Sequence, residues 1–352
     1  MFIPQYKLTN KILNMLTAIA EAKAIIERAR IIPKQELRLR RQALIRMTHS
    51  STKIEGNNLN IHQVEAIVEH KRIDAPARDV YEVENYLKAL RYISKVVENK
   101  ENITEKVILK IHHFVTDKTL PEDQSGFYRQ CPIYVVSRRL GMPDEILYTG
   151  PLAKEVKGLM SSLIDFIHDS EKQNINPIIV AGVVHLEIAA IHPFADGNGR
   201  TARALATLIL YKRGYDFRRL FALEDYYKKN RSEYYKAVNT GKNYKERERD
   251  ITRWLEYFVE GFKEEIDNVK TQVIAMGKRK IDDSVNSQIF LDKDQIKILD
   301  FLETMGRITT KDVMDILECP RRTAQFNLQK LKKIKMIQQV GKGPSSAYVL
   351  VK

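Results

Sequence analysis

The sequence predicts a mainly α-helical protein that carries one β-hairpin in its middle and a second near its C-terminus. Apolar residues recur at helical spacing through the first hundred positions and again from 151 to 262. Short β-prone runs bounded by turn residues lie around 133–148 and 336–351. A chain of 352 residues is long for one domain, so we expect two or three.

The composition, 43% hydrophobic and 30% charged, is typical of a globular protein and argues against disorder. Two cysteines, Cys131 and Cys319, are too few for a disulfide framework, which favours a reducing, cytoplasmic location. The first residues lack a basic region followed by an apolar run, so no signal peptide is expected. The longest apolar stretch, 178–195, contains two histidines and a glutamate, which argues against a membrane span.

The first hundred residues predict helices over 12–26, 35–55 and 80–97. Pro33 interrupts the first pattern, and Gly56 is a natural helix stop for the second. This N-terminal helical region, 1–100, precedes the part of the chain that carries the hairpin.

A helix over 102–115 is followed by β-prone runs at 133–136 and 146–148, with a turn at 141–144. Helices resume at Pro151, over 177–191 and over 200–213. A further apolar face at helical spacing runs from 251 to 262. We therefore place a central core at 101–270 and a polar linker at 271–289.

One segment of the core, 192–203, concentrates groups suited to phosphate chemistry: His-Pro-Phe-Ala-Asp-Gly-Asn-Gly-Arg-Thr-Ala-Arg. An apolar helix ends at His192, and the next helix begins directly after the glycines, so its free N–H groups and positive dipole end face the loop. Arg200 and Arg203, three residues apart, add two guanidinium groups on one face. The arrangement predicts an anion site.

Two further residues of the segment suit a catalytic role. Asp196 would repel a phosphate, but it has a role if a divalent cation bridges the carboxylate to the phosphates. His192 supplies a group that accepts a proton near neutral pH. Each residue alone is more often structural, with a turn at the glycines and a packed histidine. Their combination within twelve positions favours phosphoryl or nucleotidyl transfer.

The segment resembles the signature of the Fic family, His-Pro-Phe-x-Asp/Glu-Gly-Asn-Gly-Arg-x-x-Arg, at every fixed position. The resemblance implies a helical core with a β-hairpin flap over the active site. It also implies transfer of AMP from ATP, with Mg²⁺, to a Tyr, Thr or Ser hydroxyl of a protein.

The resemblance also assigns roles by position. His192 would be the general base and Asp196 the metal ligand, while Phe194 would anchor the loop. Phosphate near the α position would be bound by Asn198 and the backbone of 197–199, which includes Gly197 and Gly199. The outer phosphates would be held by Arg200 and Arg203.

A second match lies upstream, in Ser51-Thr52-Lys53-Ile54-Glu55-Gly56. Ser51 and Glu55 are four residues apart and so share one helical face. The segment resembles the family's inhibitory motif, Ser/Thr-x-x-x-Glu-Gly/Asn. The resemblance implies that Glu55 pairs with Arg203 and prevents productive docking of ATP. Alone, the pattern is also that of an ordinary helix end.

Two further assignments follow the resemblance. Ile133, Val135 and Val136 would belong to the flap, which binds the backbone of the target protein by strand addition; an ordinary hairpin has the same pattern. Tyr235, the second of a tyrosine pair after the signature, would approach the adenine.

Residues 290–352 have the pattern of three helices and a hairpin, as in a winged helix-turn-helix domain, whose third helix enters a DNA major groove. The predicted DNA contacts of that helix are Arg321, Arg322, Gln325 and Lys332, and Lys342 marks the wing tip. The net charge is +14, and residues 319–352 contribute eight basic and no acidic side chains to it. A protein-binding role for this domain stays open, as does a homodimer.

The sequence thus predicts an autoinhibited protein adenylyltransferase that uses ATP and Mg²⁺. Two alternatives remain. The chain is a DNA-binding transcriptional regulator whose core senses nucleotide, or it is bifunctional and Glu55 also supports removal of AMP.

Overall fold

The computed structural model describes residues 2–29, 31–137, 145–278, 291–341 and 346–351. The fold is mainly α-helical, with two small hairpins in these ranges, which confirms the predicted class. The predicted turn at 141–144, residues 279–289 of the linker and the wing-tip residue Lys342 lie outside the described residues.

The N-terminal region forms four helices: α1 (Asn10–Arg28), α2 (Pro33–Ile54), α3 (Ile61–Val68) and α4 (Ala77–Glu98). The sequence analysis did not predict α3. Its signal was a capping box, in which the side chains of Asn60 and Gln63 each bond to the other's backbone N–H.

The central region contains a hairpin and seven α-helices. They are α5 (Glu105–Thr116), β1 (Tyr134–Ser137), β2 (Glu145–Thr149), α6 (Ala153–Lys172), α7 (Pro177–Ile191), α8 (Asn198–Lys212), α9 (Glu224–Lys229), α10 (Arg231–Val238) and α11 (Thr252–Lys278). A short 3₁₀ helix, Phe217–Arg219, precedes α9. Helix α11 runs to Lys278 and Val273 is buried on it, so the first residues of the predicted linker, 271–289, are helical.

Helix α7 lies at the centre of the main hydrophobic core. It is apolar on all sides, as expected of a helix covered all round, and it packs against α6, α8 and α11. The Trp254 indole donates to the Gly182 carbonyl at 2.7 Å, which ties α11 to α7. Because α7 is fixed on several sides, the loop that follows its last residue, Ile191, starts from a rigid base.

The N-terminal helices share this core. Ile12 and Ile19 of α1 are buried against α11. Helix α2 is held by Arg46, which pairs with Asp225 at 2.8 Å and with Glu265 at 2.9 Å. The C-terminal end of α2 is thereby fixed next to α8.

The middle hairpin pairs β1 with β2 in antiparallel register, with a bulge between Val135 and Val136. The pairing matches the strands predicted from the sequence. Ile146 and Tyr134 are exposed, so the hairpin presents apolar side chains to solvent.

The C-terminal region consists of α12 (Lys293–Met305), α13 (Thr310–Leu317), α14 (Arg321–Lys333), β3 (Ile337–Val340) and β4 (Ala347–Leu350). This is the element order predicted from the sequence. It has its own hydrophobic core, against which Leu37 of α2 also packs. Arg40 of α2 pairs with Asp300 of α12 at 2.7 Å.

Helices long and apolar enough to cross a membrane do not occur in the described ranges.

Candidate active site

The loop between α7 and α8 is fixed from the inside by two side chains. Phe194 is fully buried and stacks on His112, with ring centroids 3.7 Å apart and planes at 4°. The Asn198 amide accepts from Phe194 N and donates to Phe194 O, both at 2.9 Å. Because the Asn198 side chain is used in this way, we expect residue 198 to contact phosphate through its backbone N–H.

Helix α8 begins directly after this loop. Its N-cap, Gly197, has φ of 76°, and a Cβ there would lie 2.8 Å from Thr116 Cγ2. The first intrahelical bond runs from Thr201 N to Gly197 O at 2.9 Å. The N–H groups of 198–200 precede that bond and so have no partner within the helix. The predicted anion site depends on these N–H groups.

His192 lies at the other end of the loop, in a left-handed conformation with φ of 50° and ψ of 58°. Its Nδ1 lies 3.1 Å from Ala189 O, a contact that requires a proton on Nδ1. In the neutral ring Nε2 is then the free acceptor. Burial lowers the pKa of His192, so the ring is neutral at pH 7. These are the properties of a general base.

Arg129 connects this histidine to the hairpin. It is buried, and its guanidinium donates to His192 O at 2.8 Å, Cys131 O at 2.8 Å and Pro151 O at 2.7 Å. The same side chain therefore holds the backbone of the loop and both ends of the hairpin.

Arg203 is buried and bound by the end of helix α2. Its Nε donates to Ser51 Oγ at 2.9 Å, and its Nη2 donates to Ser51 O at 2.9 Å and to Glu55 Oε1 at 2.7 Å. Burial alone would lower the pKa of Arg203, but the Glu55 carboxylate, together with Tyr234 and Tyr86, raises it. The structure thus contains the pairing that the sequence resemblance implied.

The Glu55 carboxylate reaches the start of α8 because residue 199 is glycine. A Cβ on Gly199 would lie 2.3 Å from Glu55 Oε1 and 3.1 Å from Arg203 Nη1. Glu55 therefore occupies space at the helix N-terminus where the loop geometry favours an anion.

Arg200 has a different environment. It is 2% exposed, its Nη1 lies 3.7 Å from Glu82 Oε1, and its Nη2 lies 3.6 Å from Asp196 Oδ2. Within the described residues its Nε and Nη1 have no hydrogen-bond partner. A buried guanidinium with unused N–H groups is typical of a site that awaits an anion.

Asp196 is partly exposed and engaged by its neighbours. Its Oδ1 accepts from Gly197 N at 2.6 Å, and its Oδ2 lies 3.4 Å from Arg78. The part of the chain that the structure describes contains no group of three or more metal-ligating side chains. A Mg²⁺ ion usually keeps waters and takes one or two carboxylates together with substrate phosphates, so a lone carboxylate fits a nucleotide-bound ion.

These groups surround a cleft of about 550 Å³. Its lining includes His192, Asp196, residues 197–199 and Glu55, together with Ile133, Val135 and Val136 of the hairpin. Arg200 and Arg203 are not among the residues that line it.

The far end of the cleft is formed by Tyr235, Asn239 and Thr240. The Tyr235 hydroxyl donates to Ile54 O at 3.2 Å, next to Glu55 in the chain. The charged segment 241–250, which follows, is fixed by a buried ion pair between Arg247 and Glu187 at 2.8 Å. This pairing was not predicted from the sequence.

The predicted DNA-contacting residues lie on α14 and are exposed: Arg321, Arg322, Gln325 and Lys332. Lys332 Nζ donates to Gln339 Oε1 at 3.2 Å. Phe326, which is 57% exposed, lies on the same helix beneath Lys330, 5.0 Å from its Nζ.

The fold and the loop together define a class of protein: a helical domain in which a helix N-terminus, a neutral histidine and a β-hairpin line one cleft. The sequence model of the Fic/DOC family matches residues 102–210. The chain contains a Fic/DOC-family domain, which confirms the resemblance seen in the sequence.

Curated relatives are named protein adenylyltransferase Fic. The one from Nematostella vectensis is 30% identical over 191 residues, which cover 52% of this chain and 42% of the relative. The one from Culex quinquefasciatus is 30% identical over 181 residues, which cover 51% of this chain and 34% of the relative. The chain thus spans less than half the length of these relatives.

Solved structures support the fold. A Fic family protein from Desulfovibrio desulfuricans G20 has a TM-score of 0.62 at 24% identity, covering 99% of this chain and 98% of that one. Fic-1 from C. elegans has a TM-score of 0.58 at 23% identity, covering 75% of this chain and 72% of that one.

The His112–Phe194 stack predicts a loss of stability in acid. Burial lowers the pKa of His112 to about 4, whereas an unfolded histidine titrates near 6.5. The unfolded state therefore binds more protons below pH 6.5, and stability is full above that pH and is lost as pH falls toward 4. We expect His112 to account for about 2 kcal/mol of the loss between pH 7.5 and 5.

Urea unfolding at these two pH values, for wild type and for His112→Asn, measures this contribution. The variant lacks the titrating ring and should lose less stability on acidification. An equal loss in both proteins, or an NMR signal of protonated His112 in the folded protein at pH 5.5, would contradict the prediction.

Proposed function

We propose that this protein transfers AMP from ATP to a Tyr, Thr or Ser hydroxyl of a protein, and that Glu55 inhibits the transfer. The proposal rests on the position of the Glu55 carboxylate, which pairs with Arg203 and lies against Gly199. This position is at the start of α8, where the free N–H groups suit a phosphate. The names of the curated relatives support the same chemistry.

In the proposed reaction the target hydroxyl loses its proton to His192 Nε2. Its oxygen attacks the α-phosphorus, the bond to the β-phosphate oxygen breaks, and pyrophosphate leaves. The N–H groups of 198–200 stabilise the charge that develops on the α-phosphate oxygens. His192 is suited to the first step because its other nitrogen is held by Ala189 O.

Asp196 would hold Mg²⁺ together with the phosphates, and the ion would neutralise phosphate charge. For this the carboxylate has to exchange its contact with Arg78 for the metal. Arg200 and Arg203 would bind the outer phosphates once Glu55 has left Arg203. The edge of β1 would hold the target's backbone.

Inhibition follows from the requirement that Arg203 be paired. A buried cation that loses its partner costs about 3–5 kcal/mol, so Glu55 and a phosphate compete for one guanidinium. ATP then binds without its outer phosphate in place, and the α-phosphate is misplaced relative to His192.

Replacing Glu55 by glycine should raise AMP transfer at least tenfold, because Arg203 becomes available to phosphate. Replacing His192 by alanine in that background should return labelling to the level without enzyme. Self-modification measured with ATP labelled at the α-phosphate, and by intact mass, reports both effects. Label at the γ-phosphate should not be incorporated.

His62→Ala is the matched control, since that histidine is at the surface. Labelling that is insensitive to both Glu55 and His192, or that follows the γ-label, would exclude the proposed roles.

A second candidate activity is removal of AMP, favoured by the position of Glu55 in the same cleft as His192. A carboxylate there is placed to orient a water molecule toward the α-phosphate. If so, the self-modified Glu55→Gly protein, freed of ATP, should release AMP when wild type is added. A Glu55→Gln protein added instead should release none; equal release by both would refute this role of Glu55.

A third candidate function is DNA binding by residues 290–352, with the Fic domain sensing nucleotide. The exposed basic face of α14 favours it, because several Lys and Arg side chains can contact phosphates at once.

In a mobility-shift titration we expect the full chain to bind a mixed-sequence duplex at low salt and to weaken steeply as salt rises. Arg321→Ala/Arg322→Ala should weaken binding about tenfold, as expected for the loss of two phosphate or base contacts. Lys11→Ala/Lys229→Ala removes the same charge from exposed positions of the helical core. An equal effect of both pairs, or no binding at low salt, would instead favour a protein-binding role for this face, which also carries Phe326.

A further inference from the structure

The two arginines of the signature each lie near a glutamate, and the two glutamates have different environments. Glu55, on Arg203, lines the cleft, and its side chain is 29% exposed. Glu82, near Arg200, belongs to helix α4, which precedes the matched Fic domain. Its side chain is 9% exposed, and it does not contribute to the described lining of the cleft.

Glu82 is fixed in place by its neighbours. Its Oε2 accepts from Asn57 Nδ2 at 2.9 Å, and its Oε1 lies 3.3 Å from Arg78 Nε. Asn57 is itself buried and also donates to the Asp79 carbonyl at 3.0 Å. A carboxylate held from several sides on a packed helix cannot swing away as one at a helix end can.

The contact between Glu82 and Arg200 is electrostatic, because 3.7 Å is too long for a hydrogen bond. It therefore orients the guanidinium through Nη1 without a hydrogen bond, and the buried Nε and Nη1 stay without a hydrogen-bond partner among the described residues. Glu82 thus compensates the charge of Arg200 without binding it as tightly as Glu55 binds Arg203.

Glu82 becomes more important for compensating the charge of Arg200 if Asp196 binds a metal ion. Asp196 Oδ2 is the other carboxylate oxygen near Arg200, at 3.6 Å. If Asp196 holds Mg²⁺, as the proposed function requires, its charge is shared with the ion. Glu82 is then the carboxylate that keeps a guanidinium of 2% exposure compensated and in place.

We propose that Glu82 is a positioning residue for ATP: it compensates and orients Arg200 from the side of Nη1, so that the guanidinium is available to the outer phosphates. This inference rests on the proposed function for the identity of the ligand. It separates the two glutamates, because Glu55 opposes nucleotide binding and Glu82 supports it.

The test is nucleotide binding in the Glu55→Gly background, measured by calorimetry without metal and again with Mg²⁺. Glu82→Gln keeps the size of the side chain and an acceptor for Asn57 but removes the charge. We expect Kd for ATP to rise about tenfold and Kd for AMP, which lacks the outer phosphates, to stay within twofold. In the transfer assay KM for ATP should rise while kcat changes less than threefold.

Two variants control this result. Glu98→Gln removes the same charge at the exposed end of α4 and should leave both dissociation constants unchanged. Glu82→Asp keeps the charge and should recover part of the ATP affinity. If Glu82→Gln does not fold, Asn57→Ala provides the test, because it removes a hydrogen bond that holds Glu82. We expect this variant to lose affinity for ATP and not for AMP, by a smaller factor than expected for Glu82→Gln.

If Glu82→Gln weakens the binding of ATP and AMP equally, the role of Glu82 is merely structural. If the variant binds ATP more tightly, Glu82 blocks the site. Either result overturns the inference. Because the readout is binding, it is independent of AMP transfer. Selective loss of ATP affinity in a protein without transfer activity would uphold Glu82 and refute the proposed function.

Discussion

The ion pair between Arg203 and Glu55 is the contact on which the arrangement of the site depends. Arg203 is almost fully buried, and a guanidinium in such a position has to be paired. Helix α2 supplies the partner, and Gly199 allows it to approach. In the proposed mechanism the need to pair the charge of Arg203 accounts for both inhibition and ATP binding. Arg203 binds the Glu55 carboxylate in the inhibited state and a phosphate of ATP during the reaction.

Arg200 is also buried and also needs its charge compensated, but this occurs without a hydrogen-bonded ion pair. Its neighbouring carboxylates lie beyond hydrogen-bond distance, so charge is balanced while donors stay free. The two arginines, three residues apart on α8, thus differ: Arg203 forms a hydrogen-bonded ion pair and Arg200 does not. In the proposed mechanism a nucleotide would displace a carboxylate from Arg203 alone.

The sequence predicted the parts of the site that are local. The 192–203 loop and the pair Ser51 and Glu55 each lie within one turn or helix, where spacing determines geometry. Glu82 could not be predicted, because its role arises only when α4 packs beside the loop.

The buried Arg129 connects His192 to the hairpin. Its guanidinium holds His192 O and also the carbonyls of Cys131 and Pro151, which flank the two strands. If the edge of β1 binds the target's backbone, the target is placed by the same group that fixes the backbone of the base. The distance from hydroxyl to His192 Nε2 then depends on one rigid side chain. Position along the strand, more than the identity of the residue, would decide which hydroxyl is modified.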